Sequence, residues 1–313
     1  MAQTNAAKNQ ARAEALRTAL VRKITDRMHE EGVVETHIPG LMLYRRSEPT
    51  VCGSAAYEPR LIVFVQGKKR INIGTLSYLC DGTSFLLNTI DVPVVSQVVS
   101  ASKKEPILGL LLRIDLAEVR RILNEQEMPA ASDPVEARGM AVGVTTAEML
   151  DACVRLMDLL DASGDAGFLG RLMQQEILYR VLHTPQGKYL RAIATLGEQS
   201  NRTAKVVTWL RANYAKPLRI EELAEMARMG VSTLHHHFRS LTAMSPLQYQ
   251  KQLRLHVARE RMLHEGLDAA SAAFDVGYES ASQFSREYRR FFGEPPMRDV
   301  KANRAAGLLP VSE

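Results

Sequence analysis

Hydrophobic and polar positions change their period twice along the chain. Between residues 13 and 31, Leu16, Leu20, Ile24 and Met28 recur every fourth position, a stripe that predicts an amphipathic helix. Its polar face mixes both signs of charge, which fits packing on a neighbouring domain and not on a membrane surface. Residues 1–12 carry no stripe and are expected to be disordered. From 36 to 114 the period drops to two. Strands are predicted over 37–44, 61–66, 69–73, 76–80, 84–87, 94–99 and 107–114, punctuated by Gly67, Gly74, Asp81-Gly82 and Pro93. Many short strands joined by tight turns indicate an all-β barrel or sandwich. Helical spacing then returns over 116–123 behind an Asp115 cap, over 145–160 and over 168–182, the last two forming a hairpin around Gly164. Residues 128–135 read as a loop and 188–196 as a further helix. Gly197-Glu198-Gln199-Ser200, with Asn201, reads as a flexible linker.

The most informative pattern lies between residues 220 and 296, where one apolar motif occurs twice. Leu234, Phe238 and Leu241 precede Ser245-Pro246, and about 50 residues later Phe284, Tyr288 and Phe291 precede Pro295-Pro296. A fixed offset of this kind marks a duplicated supersecondary unit. Each copy reads as helix, turn, helix. In the first, Ile220, Leu223 and Ala227 line a short helix and Met229-Gly230 makes the turn; in the second, residues 269–274 form the short helix and Gly277 relaxes the turn, glycine reaching positive φ cheaply. Between them Ser245 suits a helix N-cap and Pro246 the first helical position. The helix that follows spans about 19 residues, roughly 28 Å, up to Gly266. A spacer of that length holds two units near the 34 Å repeat of a DNA turn.

Opposite the apolar stripes stand side chains that donate to phosphates and base edges. The first copy offers Ser232, His235, His236 and Arg239; the second offers Ser282, Gln283, Arg286 and Arg290, with Arg289 placed for a phosphate. An α-helix fits the DNA major groove, where every base pair presents a distinct donor and acceptor pattern. For a single helix an ordinary solvated face is the better account; the duplication favours a reading surface.

These residues carry a resemblance. Ser232-Thr233-Leu234-His235, the run 242–253 (TAMSPLQYQKQL), Arg254-Leu255, Ala272-Ala273-Phe274, Gly277-Tyr278, Gln283-Phe284-Ser285-Arg286, Tyr288-Arg289-Arg290-Phe291-Phe292-Gly293 and Pro295-Pro296 resemble the DNA-binding domain of the AraC/XylS family of bacterial transcription regulators. Tyr57-Glu58-Pro59, Val65-Gln66-Gly67-Lys68, Asp81-Gly82 and Asp91-Val92-Pro93 are similar to the N-terminal domain of one branch of that family. The resemblance implies a cupin-like barrel that binds a small-molecule effector, double-stranded operator DNA as partner, and a homodimer; the helices beside the barrel serve either as its interface or as packing for their own barrel. It admits RNA polymerase as a further partner. The expected fold is α+β with two domains: a segment 1–32, a cupin-like domain 33–198 with flanking helices, and an all-α DNA-binding domain 199–305 whose helix-turn-helix units span about 219–241 and 268–292, joined by a long helix. Residues 306–313 are left as a tail.

Charge sharpens this picture. Residues 201–313 hold 17 Lys and Arg against 12 Asp and Glu, whereas residues 1–200 hold 23 of each, so the net +5 sits in the C-terminal part. A localised basic excess is the electrostatic footprint of nucleic-acid binding. Cys52, Cys80 and Cys153 are odd in number and far apart, which suits neither a disulfide framework nor a zinc module. No run of 18 apolar residues occurs and the opening MAQTNAAKNQARAEALR lacks a signal peptide's apolar segment, so no membrane is expected and a cytoplasmic, nucleoid-associated place is.

Enzymatic chemistry finds no support. A catalytic cupin needs metal-binding histidines on neighbouring strands, and the barrel stretch contains only His37. His235-His236-His237 point about 100° apart on a helix, whereas helical metal ligands sit at i and i+4. No catalytic residue, metal or cofactor is therefore expected. For an effector, Tyr44, Phe64, Gln66 and Tyr78 are the candidate lining. Alternation puts Ile62, Phe64 and Gln66 on one face of their strand and Leu61, Val63 and Val65 on the other, with the inward face open. Two alternatives stand beside a ligand-responsive regulator: a constitutive architectural DNA binder, and a redox or electrophile sensor acting through Cys52 or Cys80.

Overall fold

A computed structural model describes residues 2–50, 52–126, 138–161 and 166–305. The chain opens with α1 (Ala2–Arg27), which covers most of the stretch expected to be disordered. Those residues are mainly Ala, Gln, Lys and Arg, strong helix formers that extend a helix already anchored by buried Leu20 and Ile24.

Ten strands follow: β1 (Gly32–Glu35), β2 (Leu41–Arg46), β3 (Gly53–Tyr57), β4 (Arg60–Gln66), β5 (Lys68–Ile73), β6 (Leu76–Asp81), β7 (Ser84–Asn88), β8 (Val92–Ser100), β9 (Ile107–Arg113) and β10 (Met140–Val144). They pair antiparallel in two sheets, β1-β2-β9-β4-β7-β10 and β3-β8-β5-β6. The strands thus form two facing sheets, the sheet-rich N-terminal domain of the expected α+β fold. β1, β3 and β10, which the period-two pattern did not predict, all lie at sheet edges. An edge strand is half solvated and short, so its alternation is weak. The first predicted strand also begins late: His37 to Gly40 form the β1–β2 turn, closed by Thr36 N–H to the Leu41 carbonyl at 3.1 Å.

The face left open by alternation is settled by packing. Leu61, Val63 and Val65 of β4 join Leu41, Leu43, Leu110 and Leu112 against α1 and two later helices, whereas Ile62 and Phe64 face the second sheet with Tyr44, Ile71, Ile73, Cys80, Val94 and Leu111. Those helices are α3 (Ala147–Asp158), capped by Thr146, and α4 (Ala166–Leu182); α2 (Leu116–Glu125) starts at the Asp115 cap, whose carboxylate accepts from Ala117 N–H at 2.8 Å. The loop predicted over 128–135 and Gly164 lie outside the described residues.

α5 (Gly187–Ala194) and α6 (Gln199–Ala212) leave only residues 195–198 between them, so the predicted linker is mostly helix. Ser200 and Asn201 are buried, and the Asn201 amide donates to the Ile193 carbonyl at 2.7 Å. A polar residue that satisfies a neighbouring helix's carbonyl pins a joint that composition alone makes look loose.

The rest is helical: α7 (Ile220–Ala227), α8 (Val231–Thr242), α9 (Pro246–His264), α10 (Ala269–Asp275), α11 (Ala281–Phe292) and α12 (Pro296–Ala305). In the first helix-turn-helix the positive φ falls on Arg228, at 51°, while Gly230 is an extended N-cap at φ −67°. The turn therefore does not use the glycine as its sequence suggests. Gly277 does carry φ +89°, and a Cβ there would lie 2.2 Å from the Ala215 carbonyl oxygen.

Two cores divide these helices. Leu223, Leu234, Phe238, Leu241, Tyr249 and Leu253 belong to the core that lies between the sheets, while Leu255, Met262, Ala273, Phe284 and Tyr288 form a separate one. Gly277→Ala forces a strained φ and a backbone clash, and we expect it to cost about 2–4 kcal/mol, lowering Tm by 5 °C or more, roughly. Gly230→Ala, whose Cβ would have open space to 3.9 Å, should cost under about 1 kcal/mol. Thermal denaturation followed by circular dichroism compares them; equal losses would refute the assignment of the turn strain to Gly277.

Candidate functional site

Helices α8 and α11 present matching surfaces. Ser232, His236 and Arg239 on α8 are all exposed, and so are Ser282, Arg286 and Arg289 on α11. Within each set the spacing is four and three, so the three side chains share one face opposite the buried Leu234 and Phe238, or Phe284 and Tyr288. His235 is half-buried at the edge of that face; Gln283 and Arg290 are exposed. The Gln283 amide donates to Glu287 at 3.2 Å, so part of its capacity is used within the helix. Arg286, Arg289 and Arg290 make no ion pair among the described residues. Arginines kept free of carboxylates on a helix face are available to phosphates and to guanine edges.

Helix α11 is held from behind by buried polar contacts. The Tyr288 hydroxyl donates to Asp299 at 2.7 Å, and Arg259 of α9 grips the same carboxylate at 2.7 and 3.0 Å. Arg254 of α9 donates to the carbonyls of Tyr214 at 2.7 Å and Gly277 at 2.9 Å, tying the connection after α6 to the turn of the second unit. α9 itself begins with a capping box, Ser245 and Gln248 each bonding the other's backbone N–H. It is therefore a braced strut. Asp299 and Arg259 are missing from the sequence-level site because neither lies on the periodic stripe; a lone Asp near the start of the last helix gave the only hint.

The first unit is also fastened to the β domain. Gly139 N–H donates to the Leu241 carbonyl at 2.8 Å, and the Tyr249 hydroxyl donates to the Asp91 carbonyl at 2.9 Å. Arg211 of α6 reaches Glu58 at 2.7 Å and also pairs with Asp91. Burial pushes the Asp91 carboxyl above its ordinary range, against the pull of Arg211.

Inside the β domain the candidate lining is dispersed. Tyr44 and Phe64 face the space between the sheets. Tyr78 is directed inward too, but its hydroxyl donates to the Met140 carbonyl at 2.9 Å. Gln66 follows a register shift at the end of β4 and its amide donates to the Pro106 carbonyl at 2.8 Å, a loop contact that a ligand would have to displace. Sequence reading passed over Lys69 and Tyr57. The Lys69 ammonium lies 4.7 Å from the Tyr44 ring centre and 6.0 Å from that of Tyr57, on the β5 face shared by buried Ile71 and Ile73. Burial works against its charge, but the two tyrosine oxygens outweigh it and hold the proton above the usual lysine range. The signal was present in the text: a basic residue in phase with inward Ile71 and Ile73.

Comparison with known proteins gives this arrangement a family. The N-terminal part, residues 37–189, matches the family described as AraC-type transcriptional regulator N-terminus, and residues 223–302 match a helix-turn-helix domain family; the two together span most of the chain. The chain belongs to the AraC/XylS family. Among its relatives, the HTH-type transcriptional activators RhaS of Salmonella schwarzengrund and Salmonella newport are each 28% identical over 155 residues, which is 49% of this chain and 54% of theirs. The chain thus spans about half the length of the curated relatives it matches. Two crystal structures of ToxT from Vibrio cholerae superpose with TM-scores of 0.54 and 0.53 at 11% and 12% identity, covering 85% and 83% of this chain and 98% and 97% of theirs. At that identity the likeness is one of fold.

In this AraC/XylS chain the cysteines divide. Cys80 and Cys153 are buried, and burial pushes each thiol up to about 12, which leaves almost no thiolate at neutral pH. Cys52 is exposed. No cluster of His, Cys, Asp or Glu able to hold a metal occurs among the described residues, and no described helix is long and apolar enough to cross a membrane.

His256, on α9, is buried between Phe291 and Phe292 with Nε2 unbonded, and burial, with Arg259 nearby, lowers its pKa to about 3. Because the folded value is depressed, the unfolded chain binds the proton first. Stability is full above about pH 6.5 and falls as pH drops toward 3. We expect a loss of about 2 kcal/mol by pH 5 from this residue, which His256→Leu should abolish. Chemical denaturation at pH 7 and pH 5 measures it; an unchanged pH difference in the variant would rule the histidine out.

Proposed function

We propose that the protein is a sequence-specific, DNA-binding transcription regulator whose β domain takes a small-molecule effector. The observation that carries the reading is the pair of equivalent exposed faces, Ser232-His236-Arg239 and Ser282-Arg286-Arg289, set on two braced helices joined by α9. Second helices of such units enter the major groove, and a 19-residue strut spans roughly 28 Å, close to one DNA turn. The relatives named as transcriptional activators support an activating output. RNA polymerase is then a natural contact, and the nucleoid the natural place.

The effector acts through the seam. The first unit shares its core with the space between the sheets, whereas the second has its own. A ligand that prefers one packing of the β domain shifts the first unit relative to the second, by as much as its affinities for the two arrangements differ. The chain acts as a homodimer through α4, whose Ile177, Leu178 and Val181 pack inward while Phe168, Leu172 and Tyr179 stay exposed in one stripe. An architectural DNA binder would need none of this coupling, and among the described residues no catalytic constellation suggests an enzyme.

Selection of bound fragments from a genomic library by the purified protein tests the reading. One asymmetric motif spanning two major grooves is expected; sequence-blind, salt-sensitive binding alone would move the architectural account ahead. Arg286→Ala or His236→Ala should lower discrimination between the selected site and random DNA by about 1–3 kcal/mol. Arg289→Ala should weaken both DNAs alike and reduce the salt slope by about one.

Arg211→Ala leaves Asp91 and Glu58 facing each other. Since the side chains are partly exposed, 36% for Arg211 and 16% for Asp91, a loss of about 1–2 kcal/mol is expected. Amide hydrogen exchange should quicken in α7 and α8 and stay constant in α10 and α11. Uniform quickening would contradict the division into two cores.

A further inference from the structure

Glu287, on α11, lies at the flank of the second unit's exposed face, with its side chain 13% exposed. Its carboxylate accepts from three donors: the Lys251 ammonium of α9 at 3.1 Å, the Tyr278 hydroxyl of the turn at 2.9 Å, and the Gln283 amide, one helical turn back, at 3.2 Å. Gln283 itself is exposed and is the third residue of α11. The start of that helix is fixed by the Ser280 cap, whose hydroxyl accepts from Gln283 N–H at 3.3 Å. Residues near the N-terminus of a recognition helix are the ones that meet base edges.

An ionised carboxylate accepts and does not donate, so the Gln283 amide must turn its nitrogen toward Glu287. Burial raises the Glu287 carboxyl, but its three donors outweigh burial and hold it below the ordinary carboxylate range, so it stays ionised and the amide stays turned. The Gln283 oxygen and one N–H are left over. An acceptor beside a donor is the edge that pairs with adenine, which offers its N6 amine and N7 to the major groove, whereas guanine offers acceptors at both O6 and N7. A free glutamine could swing its NH2 outward and give both hydrogens to guanine; one held by Glu287 cannot. The first unit has no such device. Thr233 precedes Leu234 as Gln283 precedes Phe284, and His237 follows Leu234 by three residues as Glu287 follows Phe284, so neither an amide nor a carboxylate stands at those positions.

We propose that Glu287 is a positioning residue for DNA recognition: by holding the Gln283 amide in one orientation it makes the second unit select adenine, without itself touching DNA. The inference rests on the reading of α11 as a helix that enters the major groove. Lys251 and Tyr278 belong to the same device, since they fix the carboxylate from α9 and from the turn. The strut that spaces the two units thus also orients a base contact in one of them.

Selection from a randomised duplex library by the full-length protein, followed by competition titrations on single-base variants of the selected site, tests it. Gln283→Ala should erase the preference at one base pair and leave the others. In the unaltered protein that pair should be A·T, preferred over G·C at least tenfold, about 1.4 kcal/mol. Replacing its adenine by 2-aminopurine, which keeps N7 and lacks the N6 amine, should remove most of the preference. Glu287→Gln can donate to the Gln283 oxygen and so lets the amide turn over; it should lower the A·T to G·C ratio at that pair about fivefold or more. Glu287→Asp keeps a carboxylate four residues from Gln283, a spacing at which Gln and Asp pair on a helix, and should retain most of the ratio. Loss of a negative charge strengthens binding to every DNA alike, but a ratio between two sites is blind to that, and preferences elsewhere in the site should not move. Should Glu287→Gln not fold, the identity of the pair that Gln283→Ala affects and its response to 2-aminopurine still decide. G·C at that pair, no affected pair at all, insensitivity to 2-aminopurine, or an unchanged ratio in Glu287→Gln overturns the inference. A selected motif without that A·T pair leaves the regulator reading standing; no motif at all removes both.

Discussion

The structure turns on a seam where Arg211 meets Asp91 and Glu58 and where Tyr249 caps the Asp91 carbonyl. On either side lies apolar packing, and the packing is continuous: Phe64 and Val94 between the sheets belong to the same core as Leu234 and Phe238 behind the first reading helix. A core is close-packed and does not deform smoothly, so a change on one side is transmitted or refused as a whole. The polar contacts at the rim fix the register of that packing. Without them the apolar surfaces would still associate, but with no unique orientation for α8.

The second reading head obeys a different constraint. Its core is its own, and its attachment is α9, braced by Arg254 on the turn carbonyls and by Arg259 on Asp299. Each of these guanidiniums satisfies several acceptors from a planar fork, a geometry an ammonium does not reproduce. The two units are thus alike in the face they expose and unlike in what holds them. That asymmetry is what the proposed effector coupling would use, since it lets the first unit move with the β domain while the second keeps its own core.

Within the β domain, two of the candidate lining residues serve the fold itself. Tyr78 and Gln66 spend their polar groups on backbone carbonyls, which makes them structural ties. Lys69 has rings and hydroxyls around it but no anion.

By itself the sequence determined the elements whose causes are local. The duplicated stripe, the Ser245-Pro246 start of α9 and the exposed Ser, His and Arg positions follow from a 3.6-residue period and from capping chemistry within a few residues. β4 to β9 were legible because short apolar or alternating runs are cut off by turn residues, and they depart from the expected bounds only at their ends. Tertiary structure decided the rest. The edge strands β1, β3 and β10 exist because neighbours distant in sequence offer them hydrogen bonds, and α1 extends to Ala2 because its far end is anchored. Asn201 is buried because Ile193 presents a carbonyl. Which face of β4 looks inward and which core claims each reading head depend on contacts between residues far apart in the chain, and no periodicity records those.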